Sequence, residues 1–230
     1  VGFFTNYGTC YTARINDIPS TTGYGDPVQK LFTFEDKERV VGVVSFDDRL
    51  KPDPFPPEPT EQGALFDLDA DSESDHAPDE PYVVAITKQG RATRFTLSGF
   101  LEPSTRTGRM FMRVQDGDAV VRTHLARGHE NVCLASHNGR ALIFPVHQVN
   151  VYKGPAKGVR AINLEEGDRV LDFELSDAAR EGLHVATNNG RDEIVRTTKF
   201  VVVNRGAKGT LVIQRGYFAE VFPQPVERSL

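Results

Sequence analysis

Tryptophan is absent from this 230-residue chain, and cysteine and methionine occur twice each. The two cysteines, Cys10 and Cys133, lie far apart. They can form neither a disulfide framework nor a zinc-binding spacing, and a reducing cytosol fits them. No apolar run reaches the roughly 18 residues that a membrane-spanning helix needs, and no signal-peptide pattern opens the chain. The expectation is a soluble cytoplasmic protein with no membrane partner. A sustained helical period is also missing, so the chain should be nearly all β. Serine or cysteine nucleophiles in a recognisable context are lacking, which leaves an enzyme the weakest reading.

What the chain does have is repetition. A Ser or Thr, two polar residues and a Gly recur as Thr5-Asn6-Tyr7-Gly8, Thr87-Lys88-Gln89-Gly90, Ser136-His137-Asn138-Gly139 and Thr187-Asn188-Asn189-Gly190. The glycines are spaced by 82, 49 and 51 residues. Apolar runs flank each copy, so each reads as a hairpin whose Gly supplies positive φ in a tight two-residue turn. A second Gly follows 17 to 19 residues later, at Gly25, Gly108, Gly158 and Gly209. A short alternating run, an acidic turn such as Glu165-Glu166-Gly167-Asp168 and a last apolar run close each unit. Four short strands per unit of about 50 residues predict a propeller-like all-β disc. The expected units are blades at 1–50, 82–130, 131–181 and 182–230.

Residues 51–81 interrupt the pattern. Seven prolines and the run Asp67 to Asp75 cannot bury enough apolar surface to offset the entropy of ordering them. The segment is read as a mobile acidic, proline-rich insertion between the first and second blades. An acidic decoy that competes with nucleic acid is the functional alternative.

The net charge of −5 conceals a segregation. Residues 53–81 hold ten acids and no Lys or Arg, and without them 27 basic face 22 acidic residues. Residues 82–230 carry 21 basic and 15 acidic residues, so the excess of cations lies in the last three units. Cations also recur at equivalent places: Arg91, Arg140 and Arg191 follow the hairpin Gly, and Arg106, Lys153, Lys157, Arg205 and Lys208 precede the second Gly. Arg109 and Arg160 follow that second Gly. A band of cations around a disc suits a curved phosphate backbone and needs no contact with bases. These ten residues are the candidate DNA-binding site. No catalytic residue, metal or cofactor is expected. Histidines such as His124, His129, His137 and His147 read as surface or strand residues, and Asp116-Gly117-Asp118 reads as turn chemistry rather than a calcium site.

The stretch Phe3-Phe4-Thr5-Asn6-Tyr7-Gly8, Ile18-Pro19-Ser20 and Gly25-Asp26-Pro27-Val28, followed by an acidic turn, resembles a blade from the C-terminal domain of bacterial type IIA topoisomerase A subunits. Residues 157–170 and 205–211 resemble later blades of that domain. The resemblance implies a β-pinwheel, in which neighbouring blades exchange a strand. It also implies duplex DNA bent around a basic edge, without sequence specificity. The cleaving tyrosine of that family lies in a separate N-terminal portion and the ATPase is the B subunit, so this chain would be a non-catalytic domain partnered by both. The family's setting is the bacterial cytoplasm, at the nucleoid. The glycine-arginine box of the gyrase A subunit has no counterpart here. The first-unit loop Ser20-Thr21-Thr22-Gly23-Tyr24-Gly25 carries no cation and is more similar to topoisomerase IV. A propeller that binds proteins and not DNA is the competing function, and its binding would not weaken steeply with salt.

Overall fold

The structure is a computed structural model that describes residues 1–47, 82–178 and 181–222. The insertion expected at 51–81 lies outside the described residues.

Each Ser/Thr-x-x-Gly signature joins two antiparallel strands. These are β1 (Gly2–Thr5) with β2 (Thr9–Thr12), and β4 (Tyr82–Thr87) with β5 (Arg91–Thr96). Further along come β8 (Asn131–Ser136) with β9 (Arg140–Pro145), and β12 (Leu183–Thr187) with β13 (Asp192–Val195). The turn corrects the expectation. It is a three-residue loop, and only its Gly takes positive φ, at +82°, +76°, +84° and +73°. The hydroxyl explains why. Thr87, Ser136 and Thr187 accept the backbone N–H of Arg91, Arg140 and Arg191 at 3.1, 3.3 and 3.0 Å, closing the wider loop from within.

The acidic turn braces that loop from the other side. Asp118 accepts the N–H of Gln89 at 2.9 Å, and Asp168 accepts that of Asn138 at 2.9 Å. In each, Oδ1 also accepts the N–H of the next residue, Ala119 or Arg169. In the first unit Glu38 instead takes hydrogen bonds from Thr5, Tyr11 and the Glu35 N–H. Gly117 and Gly167 stand at φ +76° and +77°, whereas the first unit places Lys37 there at φ +61°. A side chain in the left-handed region costs about 1–2 kcal/mol, partly offset by the freedom glycine adds to the unfolded chain. Lys37→Gly should therefore raise stability by about 0.5–1 kcal/mol in urea denaturation.

The inner strands are β3 (Val40–Val44), β7 (Val120–Ala126), β11 (Val170–Ser176) and β15 (Phe218–Phe222). Each pairs with the first hairpin strand of its own unit, and each pairing contains a one-residue register shift at its start. The outermost strand of a sheet comes from the following unit. β6 (Arg109–Met110) joins β2, β10 (Val159–Arg160) joins β5, and β14 (Thr210–Leu211) joins β9. Three sheets thus have four strands, while the fourth, β15-β12-β13, has three among the described residues. This exchange is what a pinwheel requires.

Apolar cores lie between successive sheets. Phe4, Phe95 and Phe111 pack between the first and second, with ring centroids 5.2–6.0 Å apart. Leu134, Phe144, Ile162 and Phe173 join the second to the third, and Ile143, Val185 and Phe218 join the third to the fourth. Among the described residues no apolar cluster joins the fourth sheet to the first. On the first sheet's far face, Tyr11 packs with Phe32 and Phe34. The inner seam between the second and third blades is polar. Arg122 grips buried Asp172 through two guanidinium nitrogens, and His124 lies 3.1 Å from the Phe173 carbonyl and 3.3 Å from Glu174. Burial, with help from Arg122, lowers the His124 imidazole to about 4, so this imidazole is neutral at neutral pH, and burial raises Glu174 against the opposing pull of Arg122. Burial also pushes the Cys10 and Cys133 thiols up to about 12, where they are chemically inert.

Candidate nucleic-acid interface

The exchanged strands bring cations from different units together. Arg91 and Arg160 are direct cross-strand partners on the second blade. The neighbouring pair is hydrogen-bonded, Ala161 N–H donating to the Gly90 carbonyl at 2.8 Å, so Arg91 and Arg160 occupy the non-hydrogen-bonded position where side chains approach most closely. Like charges facing each other in a sheet are destabilising. Neither guanidinium has an acidic partner among the described residues.

The loops before the second Gly run beside the preceding unit at each seam. Thr33 N–H donates to the Arg106 carbonyl at 2.8 Å, Arg113 N–H to that of Ala156 at 3.0 Å, and Asn163 N–H to that of Ala207 at 2.9 Å. The same contact, repeated three times, places Arg106, Lys157 and Lys208 at successive seams, all exposed. Lys153 and Arg191 are exposed as well.

Three of the ten candidates have a different first task. Arg109 points its guanidinium at the carbonyls of Gly99, Glu102 and Pro103. Arg205 donates to the carbonyls of Gln148 and Arg160. Arg140 pairs with Glu165 at 2.6 Å and donates to the Gly209 carbonyl. They hold the loops that display the other cations. Arg109 and Arg160 are also not equivalent, because the residue two after the second Gly is Met110, Arg160 and Leu211 in successive blades. Met110 on the first sheet and Leu211 on the third are about half exposed, so of these three sheets only the second carries a cation at this place. Sequence reading missed Arg113, exposed at the seam beside Ala156, because no equivalent cation in other units marked it. Among the described residues no His, Cys, Asp and Glu group could hold a metal ion, and no helix is long and apolar enough to cross a membrane.

Strand exchange between repeated four-stranded units, with a cationic outer edge, defines a β-pinwheel. Residues 81–125 and 130–177 match the family described as DNA gyrase C-terminal domain, beta-propeller. The DNA gyrase A subunit of Staphylococcus epidermidis is 25% identical over 210 residues, covering 90% of this chain and 20% of that protein. The chain therefore spans about a fifth of the length of the curated relatives it matches. The C-terminal domain of DNA topoisomerase IV superimposes with a TM-score of 0.76 at 20% identity, over 96% of this chain and 62% of that one. For the DNA gyrase A C-terminal domain the TM-score is 0.66 at 19% identity, over 97% and 65%. The chain is thus similar in sequence to DNA gyrase A subunits and shares the fold of the DNA gyrase and topoisomerase IV C-terminal domains.

Proposed function

We propose that this domain binds duplex DNA along its outer edge without reading sequence, and bends it. In doing so it presents a segment to the cleavage core of a bacterial type IIA topoisomerase. The observation that carries this reading is the Arg91–Arg160 pair, two arginines directly opposite each other on neighbouring strands with no acidic partner among the described residues. Such a pair costs the fold energy and is favourable only when an anion lies across it. Lys157, Lys208 and Arg106 continue the cations along neighbouring seams, and a duplex in contact with successive blades must curve to follow them. Binding is driven by release of counterions from the phosphates. The domain performs no bond chemistry itself, and its partners in the cytoplasm are the ATPase B subunit together with the rest of its own polypeptide. A minicircle and a linear duplex of equal length, compared at about 50 and 200 mM salt, test the proposal. Binding that favours the minicircle and weakens steeply with salt supports it. Binding that is absent at low salt, or indifferent to salt, removes it in favour of a protein-binding propeller.

A further inference from the structure

The outer edge of the third sheet carries an exposed apolar triplet that a band of cations does not explain. Val201, Val202 and Val203 are 80%, 40% and 38% exposed. Val202 bridges Ile143, and Val203 N–H donates to the Ile143 carbonyl at 2.9 Å, so the triplet runs along the open side of β9. Leu211, also half exposed, pairs with Arg140 on the same strand. Single exposed valines are ordinary, but a contiguous apolar strip beside a sheet edge invites association.

The same backbone bond recurs on the other sheets and marks the equivalent residues. Ser104 N–H donates to the Thr12 carbonyl at 3.0 Å, and Tyr152 N–H to that of Arg94 at 2.8 Å. Two places before each donor stand Glu102, Asn150 and Val201, all exposed. This corner therefore changes from acid to amide to apolar between the first sheet and the third. Charge indicates what the valines face. Residues 194–219 contain Arg196, Lys199, Arg205, Lys208 and Arg215 and no acid. Lys208 and Arg215 are exposed. An apolar strip within an acid-free cationic stretch matches a ligand whose surface alternates anions with C–H groups. The backbone of duplex DNA does so, phosphate by phosphate and sugar by sugar. Phosphate contacts alone cannot tell DNA from RNA, since both carry them. A 2′-hydroxyl pressed onto Val201 or Val203 would lose water and gain no partner.

We propose that Val201 and Val203 pack on deoxyribose at the third sheet's edge, and so make the domain select DNA over an RNA duplex. The cations beside them hold the phosphates, and the valines reject the 2′-hydroxyl. This role presupposes the duplex binding proposed for the domain.

A DNA duplex, an RNA duplex and a 2′-fluoro RNA duplex of one sequence provide the test. The last two share the A-form shape, and only the unmodified RNA carries the hydroxyl. In fluorescence anisotropy the 2′-fluoro duplex should bind about tenfold tighter than the RNA duplex. Val201→Thr combined with Val203→Thr keeps the branched shape and gives the hydroxyl a partner, so that difference should disappear. Val43→Thr, at an exposed valine of β3, should keep it. Equal binding of RNA and 2′-fluoro duplexes by the parent, or a difference that survives the threonines, overturns the proposal and leaves DNA binding standing. A domain that binds no duplex overturns both. Self-association that the threonines abolish also overturns it, by assigning the valines to a second copy.

Discussion

Replacing Arg91, Lys157 and Arg160 together by glutamate should weaken duplex binding by on the order of a hundredfold or more at about 0.1 M salt. The plot of log affinity against log salt should also become shallower by about 3, because three phosphate contacts no longer release counterions. Among the described residues these three commit no charged group to a structural hydrogen bond, whereas Arg109, Arg140 and Arg205 hold loops in place. The single change Arg91→Glu separates binding from folding. Opposite Arg160 it converts a repulsive cross-strand pair into an attractive one, so stability should rise by about 0.2–1 kcal/mol while DNA affinity falls. Thermal unfolding and a binding titration on the same sample read both signs. A triple variant that folds and still binds with undiminished affinity would show that the DNA path lies elsewhere.

Gly158→Val should detach the strand that carries Arg160. Gly158 sits at φ +75°, where a β-branched residue is strongly disfavoured, and its Cβ would lie 2.3 Å from the Ala92 carbonyl oxygen. That oxygen belongs to the backbone of β5 and cannot rotate away. The conformational strain and the clash together should cost about 3 kcal/mol or more. Hydrogen exchange should speed up first at Val159 and Ala161, and DNA binding should fall with it. Gly154→Val is the control, because it has nothing within 4 Å and its φ is not in the left-handed region. Its stability should match the parent's.

Much of the architecture was legible from local rules. The Ser/Thr-x-x-Gly signature marked all four hairpins: each has a left-handed glycine, and in three of them the hydroxyl closes the loop on the backbone. It did not distinguish a two-residue turn from the three-residue loop that forms, because both place Gly at positive φ and differ only in what Lys88 or Asn138 do before it. The acidic segments form turns, as their composition implies. That their carboxylates reach across to the hairpin of the same blade, as Asp168 does to Asn138, depends on a contact between residues 30 positions apart.

The candidate site was legible as a set of charges but not as an arrangement. Arg91 and Arg160 are 69 positions apart, and nothing local to either predicts that they face each other. Arg109 and Arg160 look alike in sequence, yet alternation along the strand turns one toward carbonyls and leaves the other at the edge.

The repeat, the all-β character and the segregation of charge are properties of the linear chain, because periodicity, turn stereochemistry and composition are enough to specify them. Which cations meet and which serve the fold were settled in three dimensions. Strand exchange pairs each unit with the next, so the composition of the outer edge depends on residues about 70 positions apart, beyond the reach of any local pattern.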